Sequence, residues 1–247
     1  MKNILVTGIS RGMGEAAGKL LIEEGYFVYG IYNTNREEAE KLKKELKNIE
    51  IFQCDFSNRQ NTKELITQLK SITFSGIVNC AAVFEPLDFD NFDMGIWDKT
   101  FEINLNAPLL LIQSLKDNLQ VGGSVINIAS IDGMVGGISG LAYAATKAAL
   151  INLTQSLANV LSARKIRVNA IAPGWIGDGM QSPEELLKIA ADLNPTKRVG
   201  SYEEIAQVIN FLLSDKSGYI NGSTITVDGG ERATSYILQE EAKVLLK

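Results

Sequence analysis

Tyr143 and Lys147 stand four residues apart in Tyr143-Ala144-Ala145-Thr146-Lys147, a stretch whose pattern predicts helix. That spacing sets a phenol and an ammonium on one helix face, about one turn apart. A free tyrosine ionises near pH 10, at about that value in model peptides. A neighbouring cation favours the phenolate and is expected to lower it. Such a phenol can exchange a proton with a carbonyl or an alcohol. Ser130 lies thirteen positions upstream and adds a hydroxyl. The chain has no histidine, so histidine-dependent triads and histidine metal sites are excluded, and no metal is expected.

A second constellation sits near the N-terminus. Thr7-Gly8-Ile9-Ser10-Arg11-Gly12-Met13-Gly14 joins a predicted strand to a predicted helix. Glycines let a backbone turn sharply and approach a pyrophosphate, and a helix start offers free N–H groups and the positive end of its dipole. The spacing is Gly-x-x-x-Gly-x-Gly, which differs from the general Gly-x-Gly-x-x-Gly fingerprint.

The elements that must position these groups alternate. Strands are expected at Lys2–Thr7, Tyr26–Tyr32, Glu50–Gln53, Gly76–Asn79, Ser124–Ala129, Ile166–Ile171 and Thr224–Val227. Helices are expected at Gly12–Glu24, Glu37–Lys47, Arg59–Ser71, Trp97–Leu119 with a bend at Pro108, Ala142–Leu161, Pro183–Asp192 and Tyr202–Leu213. This alternation predicts an α/β fold: a Rossmann-type, doubly wound parallel sheet of about seven strands with helices on both faces. Ligands bind such sheets beyond the carboxyl ends of the strands. The candidate residues all follow predicted strands or lie in the next helix.

Thr-Gly-x-x-x-Gly-x-Gly, a downstream serine and Tyr-x-x-x-Lys together resemble the short-chain dehydrogenase/reductase family, over about Lys2 to Gly230. Other family motifs appear in order. Asn79-Cys80-Ala81-Ala82 is similar to the usual Asn-Asn-Ala-Gly, with Cys80 and Ala82 as departures. Asn104 in Ile-Asn-Leu, Asn169-Ala170-Ile171-Ala172-Pro173-Gly174, Gly218-Tyr219-Ile220-Asn221-Gly222 and Val227-Asp228-Gly229-Gly230 match further segments.

The resemblance implies catalytic roles. Tyr143 would be the proton donor or acceptor. Lys147 would hold the nicotinamide ribose and lower the Tyr143 pKa. Ser130 would orient the substrate oxygen, and Asn104 would hold a water of a proton relay. It implies cofactor contacts at Gly8, Ser10, Arg11, Gly12, Met13, Asn33, Asp55, Phe56, Asn79, Ala81, Tyr143, Lys147, Pro173, Gly174 and Ile176. Asp178 stands where the family often has a threonine on the nicotinamide carboxamide. Its carboxylate could accept from that amide or cap the next helix. Within the family the chain most resembles the 3-oxoacyl-[acyl-carrier-protein] reductase branch, which implies a 3-oxoacyl thioester substrate. A sugar, steroid or small secondary alcohol is the alternative. A non-catalytic dinucleotide-binding sensor or scaffold is the alternative of another class.

NADP(H) is expected over NAD(H). A carboxylate about 20 residues past the glycine turn would bind the 2′-hydroxyl of NAD. Tyr32-Asn33-Thr34-Asn35 contains none, and Arg11 and Arg36 could meet a 2′-phosphate. The 247 residues, 45% hydrophobic and 21% charged, support one domain over 1–247, with 231–247 as a C-terminal extension. A net charge of −5 gives no support to a nucleic-acid or membrane-surface role. No signal-peptide pattern or membrane span is recognised, so a cytoplasmic location is expected. Cys54 and Cys80 read as buried small hydrophobes. Gly177–Pro195 reads as a substrate lid. The resemblance also implies a homotetramer. A helix over Tyr236–Leu246, capped by Ser235, is expected to lie on a neighbouring subunit.

Overall fold

Asn3–Thr7 forms strand β1, and its Ile4, Leu5 and Val6 are all essentially inaccessible to solvent. A strand buried on both faces must be covered on both, as parallel sheets require. In the computed structural model, which describes residues 1–235, 241 and 243–246, it is. Ile4 and Val6 join one core cluster, and Leu5 between them joins another. The strand's alternation thus divides the interior into two layers.

The other strands are β2 (Phe27–Tyr32), β3 (Ile49–Gln53), β4 (Phe74–Asn79), β5 (Leu119–Ile128), β6 (Arg167–Pro173) and β7 (Thr224–Val227). All pair in parallel, in the order β3-β2-β1-β4-β5-β6-β7. Helices α1 (Gly12–Glu23), α2 (Arg36–Glu45) and α8 (Tyr202–Leu213) bury Leu21, Leu42 and Ile209 in the first cluster. Helices α3 (Arg59–Leu69), α5 (Ala107–Leu115) and α6 (Leu141–Leu161) bury Leu65, Leu111 and Leu157 in the second. Helices α4 (Met94–Phe101) and α7 (Glu184–Leu193) complete the set. This is the doubly wound Rossmann-type sheet of seven strands. Its order reverses between β1 and β4, which opens a crevice at their carboxyl ends.

Two elements differ from expectation. The single helix over Trp97–Leu119 is instead α4, a π-helical turn at Glu102–Asn106, and α5. Pro108 has no N–H, so the Asn104 carbonyl loses its ordinary i+4 donor, and the chain widens there rather than merely bending. β5 begins at Leu119 rather than Ser124, because Phe74 pairs with Leu119 and a register shift absorbs the Gly122-Gly123 stretch. The helix expected over Tyr236–Leu246 falls largely outside the described residues. Residues 241 and 243–245 are helical, with Val244, Leu245 and Leu246 exposed. No helix of the described residues is long and apolar enough to cross a membrane.

The turn from β1 to α1 is closed so tightly that a Cβ on Gly14 would lie 2.1 Å from the Gly8 carbonyl oxygen. Backbone cannot yield there as a side chain can. Gly14→Ala should lose about 1–3 kcal/mol of stability to this overlap. Gly136→Ala, whose Cβ meets nothing within 4 Å, should stay within about 0.5 kcal/mol of the parent. Urea unfolding of the two variants beside the parent checks the pair.

Candidate active site

The crevice is held open at a fixed width by Thr7. Its hydroxyl accepts from the Cys80 and Ala81 amides, both at 3.0 Å, and so ties the end of β1 to the end of β4. Gly8 and Gly12 take positive φ angles of 75° and 58° in the turn above. Arg11 is the N-cap of α1 but makes no side-chain capping bond, so the first N–H groups of the helix have no side-chain acceptor. Ser10 is buried and Met13 packs against the first core cluster. This cradle fits the diphosphate of a dinucleotide: unsatisfied amides, a positive dipole end and no Cβ in the way.

Further candidates ring the same sheet end. Asn33 follows β2, and its amide donates to Asp55 Oδ1 at 3.5 Å. Asp55 also accepts from the Ser57 amide at 2.9 Å, so it shapes the start of the loop after β3. The Phe56 ring is buried in the second core cluster. Pro173 ends β6. Gly174 donates to the Val227 carbonyl, and a Cβ on it would come within 2.9 Å of Asp228. Ile176 is buried and bridges to Gly200.

Ser130 follows β5 and caps a short 3-10 turn, Ile131–Gly133, by accepting from the Asp132 amide at 3.1 Å. Gly133 rests on α6: a Cβ there would sit 2.6 Å from the Lys147 backbone carbon. The contact fixes Ser130 against the helix that carries Tyr143 and Lys147, with the Ser130 hydroxyl near enough to the phenol to act on its ionisation. Phe84 packs edge-on against Tyr143 at 5.4 Å between ring centroids. Lys147 is 2% exposed, and its Nζ donates to the Ile128 carbonyl at 2.7 Å.

The electrostatics correct one expectation. Burial pushes the Tyr143 phenol up from its ordinary value, Asp132 adds to the rise, and the Ser130 hydroxyl opposes it. The Lys147 cation does not outweigh burial: its Nζ lies over the ring, 5.3 Å from the centroid, and donates to the Ile128 carbonyl. Burial in turn draws Lys147 down to about 8. The phenol in this geometry stays protonated at neutral pH.

The Asn104 side chain is fully engaged within the protein. Its Oδ1 accepts from the Val83 amide at 2.9 Å, and its Nδ2 donates to the Val83 carbonyl at 2.9 Å and to Thr146 Oγ1 at 3.3 Å. The side chain is therefore spent stapling the loop that carries Phe84. Its backbone carbonyl, without an i+4 donor, is the group left for a relay.

Asn127 and Thr154 belong to no motif read from the sequence. Asn79 donates to Asn127 Oδ1 at 2.8 Å, and Asn127 donates to Thr154 Oγ1 on α6 at 2.9 Å. The two asparagines are register partners on β4 and β5. The signal for Asn127 was a polar residue inside an apolar run. Asp178 neither caps α7, whose N-cap is Pro183, nor stands free. It accepts from the Tyr202 hydroxyl at 2.6 Å. Cys54 is buried and Cys80 partly so, and burial pushes both thiols up to about 12. Among the described residues no cluster of ligating side chains could hold a metal.

Comparison with known proteins places this arrangement in context. A family model described as Enoyl-(Acyl carrier protein) reductase matches residues 8–231. The 3-oxoacyl-[acyl-carrier-protein] reductase FabG of Staphylococcus epidermidis is 36% identical over 243 residues, covering 93% of this chain and 98% of that one. Protein FixR of Bradyrhizobium diazoefficiens is also 36% identical, over 93% of this chain and 86% of its own length. A short-chain dehydrogenase family protein from Francisella tularensis superposes with a TM-score of 0.87 at 28% identity, covering 95% of this chain and all (100%) of its own. A blue fluorescent protein from a metagenomic library, in complex with NADPH, gives 0.85 at 30% identity over 93% and 97% of the two chains.

Lys147 couples stability to pH. Its folded-state value of about 8 lies below the ordinary 10.5, so between those limits the unfolded chain binds more protons. Stability contributed by this group therefore rises with pH through that window, by up to about 1.4 kcal/mol per unit. The Tyr143 phenol and the two thiols work in the opposite direction at high pH, so a difference measurement is needed. The stability of the parent relative to Lys147→Met should climb from pH 8 toward pH 10. A flat difference in urea unfolding across that range would contradict the assignment.

Proposed function

As a member of the short-chain dehydrogenase/reductase family the chain is a NAD(P)-dependent oxidoreductase, and we propose that it reduces a ketone with NADP(H). The proposed substrate is a 3-oxoacyl thioester. The observation that carries the reading is the meeting of Ser130, Tyr143 and Lys147 at the sheet end beside the glycine turn. The similarity to 3-oxoacyl-[acyl-carrier-protein] reductases supports the substrate class.

When bound, the nicotinamide cofactor supplies the hydride. The residues of the chain supply position and protons. Gly8, Gly12 and the α1 amides receive the diphosphate. Arg11 and Arg36, both exposed at the rim, meet a 2′-phosphate, and no carboxylate stands in the segment after β2 to oppose it. Lys147, anchored through the Ile128 carbonyl, presents its remaining N–H groups to the ribose hydroxyls. Ser130 and Tyr143 together hold the substrate carbonyl oxygen. The protonated phenol then donates to that oxygen, as its raised pKa favours. Lys147 and the Asn104 backbone carbonyl lead the replacement proton inward.

Assembly as a homotetramer and a cytoplasmic location belong to the same reading. Exposed Leu109 on α5, Val160 on α6, Phe211 on α8 and Tyr219 in the segment before β7 are apolar surface that a subunit contact would cover.

Two outcomes follow from these roles. Steady-state kinetics should give a clearly higher kcat/KM with NADPH than with NADH; the reverse order would reject the cofactor preference. Tyr143→Phe should lower kcat by about 10²–10⁴-fold while dinucleotide affinity survives, because only the proton-transfer oxygen is removed. Near-parental turnover of 3-oxoacyl thioesters in that variant would remove Tyr143 from the mechanism.

A further inference from the structure

Tyr202 sits where two functional segments meet. A capping box fixes the start of α8: Ser201 Oγ accepts from the Glu204 amide, and the Glu204 carboxylate accepts from the Ser201 amide. This sets Tyr202 at the first helical position, with its ring directed across the sheet end. One edge of the ring faces Gly12, where a Cβ would lie 3.4 Å from Cε1. The ring also covers Gly177 so closely that a Cβ there would stand 2.1 Å from Cζ. The same side chain therefore touches the glycine-rich turn and the first residue of the lid segment.

Its hydroxyl makes two bonds to the next lid residue. It donates to Asp178 Oδ1 at 2.6 Å and accepts from the Asp178 amide at 3.0 Å. Asp178 Oδ1 also accepts from the Gln181 amide, and the Asp178 carbonyl accepts from Ser182. The segment thus gathered is strained. Gly177, Gly179, Met180 and Gln181 all take positive φ, between 55° and 67°. For Met180 and Gln181 that conformation is costly, and it persists only if the surroundings impose it.

We propose that Tyr202 is a positioning residue that, through Asp178, latches residues 177–182 to the glycine-rich turn and so retains the dinucleotide. The proposal rests on the dinucleotide-binding reading above. With the latch closed, the Pro173–Ile176 segment and the Gly8–Gly12 turn hold a common geometry. With it broken, the lid relaxes from its left-handed conformation and the cofactor leaves sooner. Chemistry on the bound substrate is not touched, because neither Tyr202 nor Asp178 is assigned a proton or a hydride.

The variants separate these parts. Tyr202→Phe keeps the ring over Gly12 and Gly177 and removes both hydroxyl bonds. Asp178→Ala removes the acceptor, and Asp178→Asn restores one. Dinucleotide affinity is read by quenching of tryptophan fluorescence with NADPH and with NADH; Trp175 packs on Gly179 and reports the segment. Tyr202→Phe and Asp178→Ala should each weaken the preferred dinucleotide about fivefold, in the range of a net hydrogen bond. The double variant should lose no more than either single one, as expected for one shared interaction. Asp178→Asn should recover most of the affinity. KM for the dinucleotide should rise with kcat little changed. In the protein without dinucleotide, amide exchange over 178–182 should quicken by a similar factor in Tyr202→Phe, with the melting temperature unmoved. Additive losses, unchanged exchange, or an affinity loss that only tracks a fall in melting temperature would each overturn the latch. Absence of NADPH and NADH binding by the parent would overturn the reductase reading and the latch together. Parental binding with an indistinguishable Tyr202→Phe would overturn the latch alone.

Discussion

The Thr7 hydroxyl, by accepting from two successive amides after β4, holds together the one place where the sheet reverses its order. Parallel strands on either side of that point send their helices to opposite faces, so no helix fills the gap between β1 and β4. The β1–β4 ladder runs to Val6 and Val78, and the Thr7 hydroxyl continues the tie beyond its end. With it, the backbone of the glycine turn and the backbone after β4 stand in close register, and Gly8 approaches Ala81 so nearly that a Cβ would lie 3.1 Å away.

The half that carries Ser130, Tyr143 and Lys147 is built by a different device, polar groups buried in pairs. Asn79, Asn127 and Thr154 run from β4 through β5 to α6, and Asn104 bonds Val83 and Thr146. Each buried polar group that finds a partner avoids a penalty of about 1–3 kcal/mol, so these chains can hold in only one arrangement. One oxygen, Asn79 Oδ1, is buried without a protein partner, which suits a position beside a ligand cleft. The same logic explains Lys147. It is buried, its Nζ is fixed by a carbonyl, and its pKa is drawn down. Burial therefore governs the charge states of both Lys147 and Tyr143, with their mutual attraction secondary.

The amino-acid sequence by itself determined the element order, because periodicity records burial residue by residue. Lys2–Thr7 read as a strand through its apolar Ile4-Leu5-Val6 run, Gly8 to Gly14 broke between strand and helix, and Tyr202–Leu213 carried its apolar stripe. All seven strands were legible for that reason, and so were Ser130, Tyr143 and Lys147, whose spacing is a chemical statement. Only the tertiary structure decided which groups meet. The Asn79–Asn127 pair is a matter of strand register, and the Tyr202–Asp178 bond joins residues 24 apart across a lid. The direction of the Tyr143 pKa shift depends on burial and on where the ammonium points, which spacing along a helix does not encode. Local pattern is carried by neighbours in the chain, whereas register, burial of a given atom and the orientation of a charge arise from segments that are distant in sequence and brought together by the core.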